Sequence, residues 1–506
     1  MGSLNAGVAL VLSELAGDSN LTRRMMRLSA CIFVLIVGAL SPVGGAVGSD
    51  VTWTCEAALV SAISMGPAGS KKEPLGQAGN PSKKPADKTD LLTVFITGNE
   101  LGVLKPCGCF GGQLGGLDRR QAVFKSVPKE KRLIVDTGQL AEGDNEQGQL
   151  KFDIVIEAFK LLSYDLVNLT EKDIEIARNR GMLEGIGSFF KTISAHRPPD
   201  VNLPAKFTRK LSLDGKPVAV NIAAFDVEKG KIEQLEDLFN TESGIQRVNI
   251  LIVNSAEEDV IDSIAKKVPV VDCLVYPSES DEPGLIGREN RKLLVFSVGR
   301  FGRYVIGLEI RAVKGEKKLK LSYRAIPVKE DLPQENSLVE LYKNYQQLVK
   351  MSNFLEDYPR LPLREGLKYT GSGACENCHE YEYEKWSSRA HAHAYATLEK
   401  VGSQFDPECV ACHVVGMKYE SGFVSGEQSG HLKDVGCENC HGPGSEHIDS
   451  VGEDRTQEPK SVCTDCHTPE HSGDYAGNER LKFEKIIHRR EPNSANDVKN
   501  KDARKD

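Results

Sequence analysis

Three things are scarce in this sequence. Positive charge is not in excess, since 64 Lys and Arg stand against 72 Asp and Glu for a formal net charge of −8. That balance argues against nucleic acid as a partner. No apolar run reaches the ~20 residues of a membrane-spanning helix; the most apolar stretch, Leu28 to Leu40, ends before Pro42. Polytopic membrane proteins are thereby excluded. Histidine is nearly missing from the first three quarters of the chain, where His196 is the only one of 11 that precedes His379. Metal chemistry that depends on imidazole must therefore sit near the C-terminus.

At 506 residues the chain is long enough for two or three domains. Arg23, Arg24 and Arg27, the apolar run behind them and the small residues of 44–48 read as an export signal. Residues 1–48 are expected to be a cleaved signal peptide or an uncleaved N-terminal anchor, the single membrane contact expected of the chain. Residues 49–90, rich in Gly, Pro, Ser and Lys, read as a low-complexity linker. Over 91–330 short apolar strands such as Leu92 to Ile96, Leu133 to Val135, Val218 to Ala223, Ile250 to Val253 and Leu294 to Val298 occur with helical periodicities at Ile154 to Leu162 and Val260 to Lys267. This pattern predicts an α/β layered domain. Leu338, Leu341, Tyr342, Tyr345 and Leu348 predict a linker helix within 331–366, a second domain covers 367–491, and the charged tail 492–506 is expected to be disordered.

Eight of the 13 cysteines form four identical spacings: Cys375 and Cys378 before His379, Cys409 and Cys412 before His413, Cys437 and Cys440 before His441, and Cys463 and Cys466 before His467. Each is C-x-x-C-H, the attachment pattern of c-type haem. Two thiols three positions apart add to the two vinyl groups of one porphyrin, and the next residue offers its imidazole to the iron. At this composition chance supplies roughly 0.007 such motifs per chain. A structural zinc site also uses paired cysteines with histidine, but it gives no reason for His to follow every pair directly. The pattern predicts four covalently attached c-type haems, which must form much of their domain's core because so few residues surround them. His391, His393, His431, His447, His471 and His488 are six candidates for at most four remaining axial positions, and the residues alone do not choose among them. Met417, in a Gly-Met-Lys turn, reads as packing rather than a ligand.

Tyr369 to Leu398, Asp406 to Phe423, Val435 to Ile448 and Cys463 to Glu470 resemble the tetrahaem cytochrome c-554 family, with Trp386, His391 and the HGPG of His441 to Gly444 as the most specific points. The resemblance implies a small, mainly α-helical tetrahaem domain. In it His379, His413, His441 and His467 are proximal ligands and His391, His447 and His488 distal ones, which leaves the second haem, on His413, five-coordinate. It also implies electron transfer, because the family accepts electrons from hydroxylamine oxidoreductase in ammonia oxidisers.

Residues 91–330 carry a second resemblance, through Val94 to Arg120, Leu133 to Gly143 and Val295 to Ile310, to the metallophosphoesterase fold of bacterial 5′-nucleotidases, a two-sheet sandwich covered by helices. Where those enzymes place an Asp-x-His metal pair, this chain has Asn99 and Leu101. Gln139 stands at the bridging Asp, and Thr170, Glu171 and Lys172 replace an Asn-His-Glu. Hard divalent cations need those carboxylates and imidazoles, so the scaffold is expected without a catalytic two-metal site. Cys107 and Cys109, in a glycine-rich loop ending at Arg119 and Arg120, read as buried thiols of a turn, a redox pair, a soft-metal site or disulfide partners of Cys55 or Cys273. The two arginines read as anion ligands or as partners of carboxylates.

The whole sequence thus predicts an exported, periplasmic multihaem carrier moving electrons between donor and acceptor proteins, with a non-catalytic phosphoesterase-like module for docking. The alternatives are a reductase of a small nitrogen oxide at an open haem on His413, and a hydrolase with an unrecognised metal site.

Overall fold

The computed structural model describes residues 90–488 apart from 107–111, 144, 240–243, 287–292, 316–317, 458–461, 469–470 and 473. The expected signal, nearly all of the linker, Cys55, Cys107, Cys109 and the tail lie outside the described residues.

The first sheet opens with β1 (Leu92–Thr97), buried along its whole length as a strand covered on both faces should be. β2 (Arg132–Asp136), β3 (Leu166–Asn168) and β4 (Lys191–Ile193) add in parallel. Helices α1 (Leu117–Lys125), α2 (Glu146–Leu161) and α3 (Glu171–Asn179) make the crossovers. The second sheet holds β5 (Lys206–Leu213), β6 (Lys216–Phe225), β7 (Gln246–Val253), β8 (Cys273–Tyr276), β9 (Leu285–Ile286) and β10 (Leu294–Ser297) in the order 5-6-7-8-10-9, with α4 (Glu258–Lys267) between β7 and β8. The chain then returns, and β11 (Tyr304–Arg311) and β12 (Lys320–Pro327) complete the first sheet in the order 12-11-1-2-3-4.

Strand periodicity divides the core. Val94, Ile96, Leu133 and Val135 meet Val218, Val220, Ile222 and Ile250 between the sheets. Phe95, Ile134 and Val167 face outward onto the helices of the first sheet, and Leu251, Leu274 and Val295 pack on Ile261 and Ile264 of α4. The result is a helix–sheet–sheet–helix sandwich. Cys273 is a free thiol buried between the sheets.

The helix expected as a linker forms as α5 (Asn336–Met351), and it is a layer of the sandwich: Leu338, Leu341, Tyr345 and Val349 share a core cluster with Phe152, Val155 and Phe159 of α2. A few residues later Leu355 already belongs to the next core, with Tyr395, Leu398, Val410, Val414, Val415, Met417, Phe423 and Leu432. Around that core the helices are short: α6 (Glu380–Ser387), α7 (Ala394–Val401), α8 (Pro407–Val410), α9 (Cys437–His441), α10 (Ser445–Asp449) and α11 (Glu479–Glu484). Ile448, Leu481, Phe483 and Ile487 remain exposed. Among the described residues no helix is long and apolar enough to cross a membrane.

Candidate haem centres

The fold sets three motif histidines opposite three others. The ring centroids of His379 and His447 are 5.9 Å apart, those of His467 and His391 6.3 Å, and those of His441 and His488 6.3 Å. Two imidazoles bound to one metal at about 2 Å each place their centroids roughly 6 Å apart. The spacing therefore fits an iron held between each pair, and the exposed side chains of Ile448, Phe483 and Ile487, close in sequence to His447 and His488, offer apolar cover for a porphyrin. They are the three residues that the resemblance implied as distal ligands, and the fold sets each one opposite a motif histidine.

Hydrogen bonds orient the rings. His447 Nδ1 lies 2.7 Å from Asp454 O, His488 Nδ1 3.0 Å from Ile486 O and His413 Nδ1 2.6 Å from Ala394 O. A ring that donates Nδ1–H to a carbonyl keeps Nε2 as its free lone pair, the tautomer a metal needs. His467 Nδ1 meets Ser472 Oγ at 2.9 Å, and its ring stacks on Tyr475 at 4.8 Å. Burial pushes His391, His413 and His467 below the ordinary histidine pKa, which favours the neutral, ligating form.

His413 differs. Among the described residues no ring pairing involves it. His393 and His431 are both exposed, His471 Nδ1 bonds Thr468 Oγ1 at 2.9 Å, and Met417 is buried in the small core.

The motifs also hold one another. Ser372 Oγ accepts from Cys437 N at 3.1 Å, Asn439 Nδ2 donates to Val414 O at 2.9 Å, and Trp386 Nε1 donates to Val435 O at 2.9 Å. Glu438, buried inside the third motif, accepts from Gly371 N at 2.7 Å, Gly444 N at 2.8 Å, Thr370 N at 3.0 Å and Thr370 Oγ1 at 3.2 Å. Motif residues that look like spacers in the sequence are thus the struts between haem sites. Only their placement reveals it.

In the sandwich, Asn99, Leu101, Gln139, Thr170 and Glu171 sit in turns, a helix cap and an ion pair. Asn99, Leu101 and Gln139 all have left-handed backbones, with φ of 54°, 51° and 61°. Asn99 Nδ2 donates to Gly299 O at 3.0 Å. Thr170 caps α3 in a reciprocal box with Asp173, whose carboxylate also takes Gln139 N and Leu140 N. Glu171 is an exposed partner of Lys229 at 2.9 Å and lies 3.7 Å from His196. Arg120 is 1% exposed and grips Glu100 with two bonds of 2.6 and 2.7 Å, while Tyr164, Thr97 and Asp136 complete a buried network. Burial, then the Glu100 charge, pushes the Asp136 carboxyl well above its usual range. A side chain at Gly302 would collide with both Arg120 and Glu100. Arg120 is therefore the partner of an internal carboxylate; its neighbour Arg119 reaches Gly115 O at 3.4 Å. Among the described residues no group of three or more His, Cys, Asp or Glu is placed to hold a metal ion.

Residues 374–442 match the family described as cytochrome c554 and c-prime. Cytochrome c-554 of Nitrosomonas europaea is 33% identical over 91 residues, 15% of this chain and 39% of that protein, so the chain spans about two fifths of that relative's length. Among solved structures, the calcineurin-like phosphoesterase YfkN of Bacillus subtilis is similar at 14% identity and a TM-score of 0.40, over 51% of this chain and 98% of that one. The NAD nucleotidase NadN of Haemophilus influenzae gives 13% and 0.42, covering 57% and 65%, and a 5′-nucleotidase precursor of Thermus thermophilus gives 16% and 0.40, covering 62% and 68%. Residues 374–442 are thus similar to a c-type cytochrome segment, a likeness that implies covalently bound haem.

Proposed function

We propose that the protein is an exported electron carrier with four c-type haems, passing electrons between periplasmic donor and acceptor proteins, and that its sandwich domain is a non-catalytic scaffold. The observation that carries this reading is the set of three imidazole pairs at iron-bridging distance, each joining a C-x-x-C-H histidine to one from elsewhere in the chain. Bound haem supplies a reversible one-electron change at iron, tuned by its axial ligands. The chain's own part is to fix both axial nitrogens, so that little has to move when the charge changes.

Side-chain contacts tie the first three motifs together, since Ser372 accepts from Cys437 N and Asn439 donates to Val414 O next to His413. Motifs linked in this way suit transfer from haem to haem rather than turnover at one pocket. The imidazole of His413, which faces no other histidine ring among the described residues, favours a second reading, binding and reduction of a small nitrogen oxide at His413. Titration of the reduced protein with nitric oxide separates the two: a carrier shows no turnover with a strong reductant present, whereas a reductase consumes the oxide catalytically.

In the sandwich, Asn99, Leu101 and Gln139 support the absence of phosphoesterase chemistry, since none offers a carboxylate or imidazole to a hard cation. Haem stoichiometry with redox titration of the mature protein tests the reading as a whole.

A further inference from the structure

Of the four attachment segments, the second is gripped from the sandwich. Asp406 caps α8 by accepting from Glu408 N at 3.0 Å, and it is 9% exposed. Its Oδ1 accepts from Gln147 Nε2 of α2 at 2.7 Å and its Oδ2 from Tyr345 OH of α5 at 3.1 Å, while Gln147 Nε2 also meets Tyr345 OH at 3.0 Å. Lys151 of α2 pairs with Glu408. Gln346 of α5 donates to Val401 O at 2.7 Å and Ser403 Oγ at 3.1 Å. These contacts all fall on residues 401–409, the approach to Cys409. By contrast, the contacts made by Ser372, Trp386 and Glu438, which hold the first and third motifs, come from within the haem domain.

We propose that Gln147 and Tyr345 are positioning residues for the second haem, so that the sandwich domain sets the axial geometry and potential of the haem on His413 and of no other. The path is short. Asp406 fixes the first turn of α8, α8 carries Cys409, and His413 N bonds back to Val410 O at 2.8 Å while His413 Nδ1 is anchored on Ala394 O. Loosening the cap rotates the segment that bears both a thioether and the proximal imidazole. An iron with only one protein ligand depends on that ring for its ligand field more than an iron held from both sides does. This gives the sandwich a part in the cytochrome: it sets one site of four.

The proposal rests on haem at Cys409 and Cys412, so peptide mass analysis of the wild-type protein comes first; a Cys409–Cys412 peptide without haem overturns that reading itself. Full-length Gln147→Leu/Tyr345→Phe and the milder Tyr345→Phe are then compared with wild type by electron paramagnetic resonance and spectroelectrochemical titration. The expected result is a changed high-spin signal and a midpoint displaced by a threefold or greater change in its equilibrium constant for one haem, with three low-spin signals unmoved. Four unchanged haems, or four that shift together, overturn the proposal. Tyr345→Phe removes only a hydroxyl, so a double variant that does not fold leaves a decisive comparison in hand.

Discussion

Glu438 offers a direct test of how the haem domain is held together. Its carboxylate is buried and takes three backbone N–H groups, from Thr370, Gly371 and Gly444, together with the Thr370 hydroxyl. Two of those amides belong to the approach to the first motif, and the third to the turn after the third motif. Glu438→Ala strands three backbone amides as well as the Thr370 hydroxyl, each amide worth about 1–3 kcal/mol when left buried without an acceptor. Water reaching the space recovers part of that, so the expected loss is about 3–5 kcal/mol, a large share of the 5–15 kcal/mol typical of a whole domain. Glu438→Gln keeps one acceptor oxygen but turns an NH2 toward the donors, and should lose about half as much. Denaturant unfolding followed at the haem absorbance gives the free energy, and peptide mass analysis gives haem occupancy. The occupancy losses should fall on Cys375–Cys378 and Cys437–Cys440. A cost below about 1 kcal/mol in Glu438→Ala, with all haems retained, would refute the strut role of this carboxylate.

Each of His391→Ala, His447→Ala and His488→Ala should turn one low-spin haem high-spin, read by electron paramagnetic resonance; His393→Ala and His431→Ala should change nothing, and low-spin signals lost in either would contradict the pairing. Burial raises the pKa of Asp406. The folded state then holds this proton more tightly than the unfolded chain, so the contribution to stability falls as pH rises from the ordinary carboxylate range near 3.9 through the raised value. Asp406→Asn should flatten that slope in unfolding measured from pH 4 to 8, and parallel profiles would show that the carboxylate is not under strain. The full-length protein should hydrolyse neither nucleotides nor a generic phosphate ester with Mn²⁺, Zn²⁺ or Fe²⁺; turnover lost on chelation would disprove it.

Covalent chemistry made the haem sites legible, because two thiols and an imidazole must lie within five consecutive residues to serve one porphyrin. The histidines expected opposite the motif ones came only from resemblance. Which one serves which motif depends on closure over long separations, such as His379 with His447, and no local spacing encodes that. The sandwich strands could be read because Val94 to Ile96 of β1 and Ile250 to Val253 of β7 are unbroken apolar runs, as in strands buried on both faces. α5 shows the limit: its period marked a helix, but its buried partners on α2 lie nearly two hundred residues earlier, so it read as a linker. Arg120 was ambiguous for the same reason. Its partner Glu100 lies twenty residues earlier, and no local spacing links the two. The struts Glu438 and Asn439 could not have been found at all, since a spacer inside C-x-x-C carries no signal of what it touches.

The measurement that bears most directly on the account is the mass of the haem-bearing peptides from the full-length protein. One haem on each of the four pairs, Cys375–Cys378, Cys409–Cys412, Cys437–Cys440 and Cys463–Cys466, is the predicted result. Zinc in their place, or fewer than three haems, would contradict it.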